Sequence, residues 1–469
     1  MYTLYTGNVL DILKTLSSNS VDMVFTSPPY FALRSYDGDQ KVLWGGADNC
    51  EHIWHQMTGG LGHQNRNNRR GTQDEVRTSG PLILLGNDIK IPVLICEKCQ
   101  GVYCALGLET DYQMYIEHLI MIFDEVKRVL KNSGTCWVNL GDSYSSSNKD
   151  LNGDGSVGII SLKQSTNRGS YINNLQKTNV DLKPLNLIGI PWRFALAMQD
   201  AGWILRSDVI WSKGHSGQKQ QKDQLIIACK NIGLPEVTIN SLIKQYDIYI
   251  GNGMPESVSG PIWKRHKVRR NGAYLECLGC AKCNPHNGYI LYHGSWRPTK
   301  THEYVFMFTK SNGYYINDNA AREAGLNTET RNLRTVLAIP TMNNDKEHYA
   351  TMSNNLADTI VKMGINNTGC CTKCGLPYTQ IEHTEQYIPM CNCNTNAVKP
   401  MVVLDIFSGT GTTGIAAQHY GATYIGIDIN ADYNAMAIER FKKEINTVVN
   451  KSLTDTDIQM SIFDLDDVL

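Results

Sequence analysis

The C-terminal part of the chain contains the pattern that most restricts the fold. An apolar segment, Val402–Asp405, ends in an acid and is followed by a turn rich in glycine, serine and threonine. A helix is expected to begin near Thr412, and a second apolar segment, 424–428, again ends in an acid. Strands that alternate with helices in this way are typical of a parallel, doubly wound sheet. The pattern therefore predicts an α/β fold with an acid at the end of each of two strands.

The rest of the chain repeats this alternation between long polar stretches. The expected elements are a strand, a helix and a strand within 1–30, a helix over 112–130, a strand over 135–140, a helix and a strand within 190–211, and a strand over 303–310. The stretches 31–95 and 143–183 are polar and rich in turn-forming residues. These two stretches are therefore predicted to be loops or insertions.

Charge and cysteine content narrow the class of protein. The net charge is −1 over 469 residues, so contact with nucleic acid requires local clusters of Lys and Arg. The sequence opens without the basic start and cleavage site of a secretory signal, and no apolar run is long enough to span a bilayer. We therefore expect a cytoplasmic protein that does not bind membranes. Several of its 14 cysteines form C-x2-C pairs, which indicates metal binding rather than disulfides.

The turn after Asp405 has the composition of a ligand-binding loop. Gly409 and Gly411 allow the backbone to approach a ligand at the carboxyl ends of the strands, and Asp428 at the next strand end can bind a ribose diol. The turn has neither the G-x-G-x-x-G of dinucleotide sites nor the lysine of a P-loop. A nucleoside without a phosphate chain is therefore the expected ligand, and a tight turn with a purely structural role is the alternative.

A second loop, Thr26-Ser27-Pro28-Pro29-Tyr30, directly follows an apolar strand. The two prolines fix the backbone and lack N–H donors, so that carbonyl oxygens and the Ser27 hydroxyl can serve as acceptors. Such acceptors suit an exocyclic amine, whose lone pair is otherwise delocalised into its ring. Tyr30 offers a flat face on which a base taken out of a duplex can stack. A rigid turn after a strand is the structural alternative.

Together the two loops resemble the amino-methylating DNA methyltransferases. That family carries a [D/N/S]-P-P-[Y/F] catalytic motif and an F-x-G-x-G cofactor motif, which correspond here to 27–30 and 407–411. The catalytic motif comes first, as in the permuted beta class of bacterial and phage site-specific enzymes. Further segments that resemble the family are VNLGDSY (138–144), GIPWR (189–193), SDVIWSK (207–213), MPES (254–257), RPTKTHEYVF (297–306), HYATMSNNL (348–356) and YIGIDIN (424–430). The resemblance covers most of the chain and implies a Rossmann-like, circularly permuted methyltransferase fold.

The resemblance also implies a role for each matched residue. The target base would be held by Ser27, Pro28, Pro29 and Tyr30. The residues that would surround S-adenosyl-L-methionine are Asn8, His348, Asp405, Phe407, Gly409, Gly411, Thr412 and Asp428. The methyl group would pass directly to the amine of a flipped-out base, without a covalent enzyme intermediate. The sequence also lacks the Pro-Cys dipeptide of the enzymes that methylate a ring carbon.

The TSPPY form of the catalytic motif is associated with the 4-amino group of cytosine, whereas DPPY dominates among adenine enzymes. We therefore expect a site-specific cytosine-N4 DNA methyltransferase, with the 6-amino group of adenine as the alternative. An inactive, zinc-rich DNA-binding protein is disfavoured because the catalytic motif is intact. An enzyme that acts on RNA or on protein glutamine is disfavoured because those enzymes usually carry the cofactor motif first.

Three groups of cysteine and histidine have the spacing of structural zinc sites. The groups are Cys371, Cys374, Cys391 and Cys393, in which Cys370 could replace Cys371; Cys277, Cys280, Cys283 and His286; and Cys50, His52, Cys96 and Cys99. Zinc would explain how long, weakly apolar insertions stay folded, because metal ligation contributes folding free energy directly. Reduced thiols without a metal are the alternative for each group.

The most basic run of the chain, 263–270, predicts contacts to DNA phosphates. The contacting residues would be Lys264, Arg265, Lys267, Arg269 and Arg270. The loop 66–70 is a second candidate, and a solvated charged face is the alternative for both. Double-stranded DNA is the expected partner, while a homodimer and a cognate restriction endonuclease stay open.

The motifs divide the chain into a catalytic domain with insertions. The expected parts are 1–48 with the TSPPY loop, an insertion with a zinc site at 49–104, catalytic segments at 105–213 and 301–366, a target-recognition region at 214–300, a zinc knuckle at 367–398, the cofactor-binding part at 399–450 and an acidic tail at 451–469.

Overall fold

The structure is a computed structural model of the chain. It describes residues 1–31, 40–47, 49–56, 93–145, 182–183, 185–213, 235–236, 238, 262–270, 273–292, 300–324, 330–340, 352–381, 384 and 386–444. The chain divides into two units, which are Met1–Lys213 with His302–Leu469, and Gly214–Thr301. Among the helices in the described residues, none combines the length and the apolar character that a membrane span requires.

The strands and helices are numbered in chain order. The strands are β1 (Tyr2–Thr6), β2 (Val21–Thr26), β3 (Lys41–Trp44), β4 (Trp54–Gln56), β5 (Leu94–Cys96), β6 (Val102–Ala105), β7 (Leu130–Leu140), β8 (Ile204–Ser212), β9 (Ile262–Arg265), β10 (Lys267–Arg270), β11 (Ala273–Glu276), β12 (Tyr289–Tyr292), β13 (His302–Thr309), β14 (Arg322–Ala324), β15 (Thr330–Asn332), β16 (Val336–Ala338), β17 (Cys370–Cys371), β18 (Tyr378–Gln380), β19 (Tyr387–Pro389), β20 (Val398–Lys399), β21 (Val402–Asp405) and β22 (Thr423–Asp428). The helices are α1 (Val9–Thr15), α2 (Tyr112–Val129), α3 (Ile190–Asp200), α4 (Asn354–Gly364), α5 (Thr412–His419) and α6 (431–444).

The first unit is built on an eight-stranded sheet in the order β1-β22-β21-β2-β7-β13-β8-β16. The five strands from β1 to β7 are mutually parallel. β13 is antiparallel to both of its neighbours, and β16 is parallel to β8. The predicted α/β fold with a mostly parallel sheet is therefore confirmed, and the antiparallel β13 is an addition to it.

Helices cover both faces of this sheet. On one face, α2 buries Tyr115, Leu119, Ile122 and Phe123, and it packs against α1 and α3. Asp111 begins the helix by accepting a hydrogen bond from the N–H of Met114. On the other face, α4 and α5 pack together in a second buried cluster that includes residues of α6. The sheet is therefore doubly wound.

Strand β2 shows how a central strand of the sheet is buried on both faces. All six of its residues are buried. Val24 belongs to the cluster on one face, whereas Met23 and Phe25 belong to the cluster on the other face. This alternation is expected of a parallel strand that is covered on both sides. Consequently β2 has no solvent-facing side, and only its carboxyl end is available for a functional loop.

Part of the stretch 31–95 differs from the predicted loop. β3, β4, β5 and β6 form a four-stranded antiparallel sheet in the order β3-β6-β5-β4. Its strands have three or four residues each, which is too short for a periodic pattern to reveal them in a polar sequence. Residues 57–92, including the basic loop 66–70, lie outside the described residues.

The second unit is inserted between β8 and β13. Ser212, at the end of β8, is paired with His302, at the start of β13, so the insertion leaves and re-enters a single antiparallel ladder. Within the unit, β9 pairs with β12 and β10 pairs with β11. Of the apolar residues that the structure describes in this unit, Cys283 is the one that is buried.

Candidate active site

The two expected loops meet at the carboxyl edge of the central sheet. β2 and β21 are parallel neighbours, with Val24 opposite Leu404, so the loops that follow them leave the sheet side by side. Thr26 Oγ1 donates a hydrogen bond of 2.7 Å to Asp405 Oδ1. The proline loop near the start of the chain is therefore joined directly to the glycine turn near its end.

Asp405 is the buried link between these loops, with 3% of its surface exposed. Its Oδ2 accepts a hydrogen bond of 2.7 Å from Thr413 Oγ1, and Oδ1 also accepts one of 3.1 Å from the N–H of Phe407. Burial raises the pKa of Asp405 to about 6, although these hydrogen bonds oppose the shift. Because Asp405 is buried and its oxygens are bonded to Thr26, Phe407 and Thr413, the geometry favours a supporting role for Asp405 over direct contact with a ligand.

Asp428 lies at the adjacent strand end and is less enclosed. Its Oδ2 accepts from the N–H of Gly409 and its Oδ1 from the N–H of Asn430, both at 2.8 Å. Burial raises the pKa of Asp428, and the two N–H donors counteract part of this effect. Each carboxylate oxygen can accept more than one hydrogen bond, so Asp428 can still receive ribose hydroxyl groups. Asn8 lies at the same edge, but its side chain caps α1 by accepting from the N–H of Leu10.

The glycine turn has the conformation that its sequence predicts. Gly409 and Gly411 have φ angles of 48° and 79°, in the left-handed region that favours glycine. A Cβ at Gly411 would lie 2.7 Å from Phe441 Cζ, whereas a Cβ at Gly409 would meet no atom within 4 Å. The space beside the Gly409 backbone is therefore open. This open turn beside the Asp428 carboxylate fits a nucleoside cofactor.

Arg440 stabilises the turn from α6, and no motif pointed to it. Its Nη1 donates to Thr410 Oγ1 at 2.7 Å and to Thr412 Oγ1 at 3.2 Å. Thr412 is accordingly buried and bonded within the protein. Desolvation lowers the pKa of Arg440. His348, which was expected near the cofactor, lies outside the described residues.

The last two residues of the proline loop, Pro29 and Tyr30, form hydrogen bonds to side chains of three different elements. The Pro29 carbonyl accepts a hydrogen bond of 2.7 Å from Tyr115 Oη on α2. Tyr30 Oη lies 3.0 Å from Asn139 Oδ1 and 2.9 Å from Glu303 Oε2, so its single proton has two acceptors within hydrogen-bond distance. The Tyr30 ring packs against Gly141, where an added Cβ would lie 2.5 Å from Tyr30 Cε2. The ring is thus held at its hydroxyl by hydrogen bonding and at Cδ2 and Cε2 by contact with Gly141.

The remaining members of the loop lie close to the same network. Ser27 Oγ is 3.4 Å from both Tyr30 Oη and Asn139 Oδ1, and Pro28 is buried beside it. Glu303 also forms an ion pair with Lys213. Asn139, Lys213 and Glu303 lie within segments that resemble the family, but the resemblance gave them no role. The three residues lie at or next to the ends of β7, β8 and β13, and only the folding of the sheet brings these ends close to Tyr30.

Among the described residues, three groups of four potential metal ligands have their ligand atoms within 4.8 Å of one another. We call them the Cys50 cluster (Cys50, His52, Cys96, Cys99), the His266 cluster (His266, Cys277, Cys280, Cys283) and the Cys371 cluster (Cys371, Cys374, Cys391, Cys393). Cys370 is not in the last group, because its thiol donates to Asp22.

The histidine beside the thiols of the second unit is His266 rather than the expected His286. His266 lies between β9 and β10, and its carbonyl accepts a hydrogen bond from the N–H of Cys277. His286 follows Cys283 in a short 3-10 turn, and its ring packs against Trp263 at 4.5 Å. Strand pairing, and not spacing in the sequence, places His266 beside these thiols. The basic residues on either side of His266 therefore did not indicate that it is a potential ligand.

The basic run is divided between two strands on either side of His266. Lys267 is exposed, and Arg265 lies over the ring of Tyr289 at 4.8 Å. Nearby Trp263, His286 and Tyr289 line an open cleft of about 310 Å³. The side chains of Lys264, Arg269 and Arg270 lie outside the described residues. The described part of this unit therefore presents positive charge beside exposed aromatic rings.

The fold and the joined loops define the chain as an α/β enzyme of the methylase type, and comparison with known proteins gives the family. The profile of a DNA methylase family, N6_N4_Mtase, matches residues 21–439, so the chain belongs to that family. This assignment confirms the resemblance to DNA amino-methyltransferases.

Among its relatives are type II methyltransferases. M.Cfr9I of Citrobacter freundii is 26% identical over 95% of this chain and 90% of its own length. M.XycI of Xanthomonas campestris pv. cyanopsidis is 25% identical over 95% and 90% of the two chains. A solved structure, the PvuII DNA methyltransferase (cytosine-N4-specific), matches 96% of this chain and 93% of its own at 12% identity with a TM-score of 0.41.

Proposed function

We propose that the protein transfers the methyl group of S-adenosylmethionine to the 4-amino group of cytosine at specific sites in duplex DNA. The observation that carries this proposal is the Thr26–Asp405 hydrogen bond, because it joins the loop that suits an amine to the turn that suits a nucleoside. When bound, S-adenosylmethionine supplies an electrophilic methyl group. Holding the two reactants next to each other can itself account for a large part of the acceleration.

The residues of the proline loop orient the amine. Ser27 Oγ and the Pro28 carbonyl are acceptors for the two amine hydrogens, and these hydrogen bonds draw the nitrogen lone pair out of conjugation with the ring. Tyr30 offers its ring as a stacking surface for the extruded base. Asn139 and Glu303 fix the orientation of that ring through its hydroxyl.

The choice of cytosine over adenine rests on Ser27. This residue places a neutral hydroxyl at the position where a DPPY motif places a carboxylate, and the TSPPY form resembles that of cytosine enzymes. The 6-amino group of adenine is the alternative substrate. Since the relatives are named type II methyltransferases, a restriction endonuclease with the same target sequence is a candidate partner.

Analysis of modified nucleosides tests the proposal. DNA from cells that express the protein would be digested to nucleosides and analysed by mass spectrometry, with Tyr30→Ala as the inactive control. We expect N4-methylcytosine with the wild-type chain and none with the variant. N6-methyladenine would instead assign the alternative base, and 5-methylcytosine would contradict the direct transfer to an amine.

A further inference from the structure

The Cys50, His266 and Cys371 clusters have more in common than their composition. Each consists of four residues whose sulfur or nitrogen atoms lie close together, and the three clusters include every described cysteine that is not buried. All of the described cysteines are free thiols rather than disulfides. Four converging thiol and imidazole groups form the ligand set of a structural zinc site.

The distances within the clusters match a tetrahedral zinc ion. With Zn–S bonds of about 2.3 Å and Zn–N bonds of about 2.0 Å, tetrahedral geometry separates two sulfur ligands by about 3.8 Å and a sulfur from a nitrogen by about 3.5 Å. The Sγ atoms of Cys280 and Cys283 are 3.7 Å apart, and Cys280 Sγ is 3.4 Å from His266 Nδ1.

The Cys50 cluster has the same dimensions in a different part of the chain. Cys50 Sγ is 3.8 Å from Cys96 Sγ, and Cys99 Sγ is 3.4 Å from His52 Nδ1. A disulfide would require sulfur atoms about 2.05 Å apart. Two independent clusters therefore have the separations of a zinc site and not those of a disulfide.

The second unit gives a physical reason for a metal. Cys283 is the one buried apolar residue that the structure describes there, and it belongs to the His266 cluster. Where the described residues of a small module bury so little apolar surface, a metal can supply folding free energy. The N–H groups of Asn284 and Gly288 bond to the carbonyls of Cys280 and Cys283, which makes the tight turn of a metal-binding knuckle.

We propose that the chain holds three structural zinc ions, one in each cluster, and that His266 is the fourth ligand in the second unit. Each ion has four protein ligands, so no coordination position is open to a substrate and the ions have no catalytic part. Their role is to fold the two insertions and the knuckle before the cofactor strand, since metal ligation contributes folding free energy.

A fourth group, Cys104, Glu109 and His118, is buried but requires no ion. Glu109 Oε1 and His118 Nδ1 bond to each other at 2.9 Å, and Glu109 Oε2 accepts a hydrogen bond of 2.7 Å from the N–H of Gly107. Both Glu109 oxygens and His118 Nδ1 therefore have partners within the protein, and the group offers three ligand residues rather than four. The expected metal count is three and not four.

Metal analysis of the purified full-length protein tests this proposal. Elemental analysis and native mass spectrometry should find three zinc ions per chain. His266→Ala should reduce the count to two, whereas His286→Ala should leave it at three. His52→Ala and its neighbour His55→Ala form a second matched pair, and Cys374→Ala and Cys370→Ala form a third, with the first variant of each pair losing one ion.

A conservative variant separates loss of a ligand from loss of the fold. His266→Cys supplies another zinc ligand at the same position, so it should retain three ions and the thermal stability of the wild-type chain. A protein without zinc, or a count that falls in His286→Ala and not in His266→Ala, would overturn the assignment. Neither readout depends on methylation activity, so a failure here is distinct from a failure of the proposed function.

Discussion

At the scale of single residues, the two acids at the strand ends have different tasks. Both were expected beside the cofactor from their positions at the ends of apolar strands. Asp405 is buried and its oxygens are bonded to Thr26, Thr413 and Phe407, whereas Asp428 is partly exposed and is bonded to two backbone N–H groups. The sequence indicates that an acid occupies each strand end, but burial by neighbouring elements decides which of them faces a ligand.

Asp428→Asn should weaken binding of S-adenosylmethionine by about 10-fold or more. Each carboxylate oxygen accepts from a backbone N–H, so an amide NH₂ in either orientation would oppose a donor, at a cost of about 1–3 kcal/mol. Titration calorimetry would measure the affinity, with the exposed Asp432→Asn as the control. Unchanged affinity in Asp428→Asn would show that this carboxylate does not support the cofactor turn.

At the scale of elements, periodicity predicted the long helices and buried strands well. The helix expected over 112–130 is Tyr112–Val129, and the strand expected over 303–310 is His302–Thr309. β7 begins earlier than predicted, at Leu130, because its pairing with β2 shifts register after Val21. Such irregularities, like the short strands β3 to β6, arise from pairing partners that are distant in sequence.

The hydrogen-bond network at Tyr30 could not be predicted for the same reason. Asn139 and Glu303 lie on β7 and β13, which are far apart in sequence and antiparallel in the sheet. A parallel arrangement would have put the two residues at different edges. Sequence motifs therefore identified the residues of the proline loop but not the side chains that hold Tyr30.

Gly141→Ala tests how the end of β7 supports Tyr30. The new Cβ would lie 2.5 Å from Tyr30 Cε2, so the ring must move while its hydroxyl stays bonded. We expect a decrease in kcat on the order of 10- to 100-fold, because misplacing a reactant by about 1 Å has effects of this size. Binding of S-adenosylmethionine should be unaffected.

Gly313→Ala is the matched control, because a Cβ there meets no atom within 4 Å. Single-turnover methylation assays and cofactor titrations on both variants would give the comparison. If Gly141→Ala methylated DNA at the rate of the control, a fixed Tyr30 ring would not be needed for transfer.

At the scale of the whole molecule, the first unit contains the methylase fold, which we call the methylase unit. The second unit is inserted between its paired strands β8 and β13. Gly214–Thr301 leaves after Lys213 and returns before His302, and Ser212 and His302 are paired. Lys213 and Glu303 close the hairpin with an ion pair. The methylase unit therefore completes its sheet without any strand from the second unit among the described residues.

Replacing 214–301 with a short glycine- and serine-rich link should leave the first unit folded. Because the pairing of β8 with β13 is retained, we expect normal binding of S-adenosylmethionine and two zinc ions per chain. Sequence-specific methylation should be lost, since the basic and aromatic surface of the second unit is removed. Calorimetry, metal analysis and methylation of plasmid DNA would measure these three properties. Retained methylation at the same sites would place target recognition in the first unit.

The second unit begins and ends at one antiparallel strand pair, β8 and β13. This position has a consequence for how such enzymes can change their target sequences. Paired residues of an antiparallel ladder are about 5 Å apart, so any module whose own termini lie that close can be spliced there without a change in the sheet. Ser212 and His302 form such a junction. If the second unit reads the target sequence, as the replacement of 214–301 tests, exchange of one module at this junction alters which DNA site is modified and leaves the methyl-transfer site of the first unit unchanged.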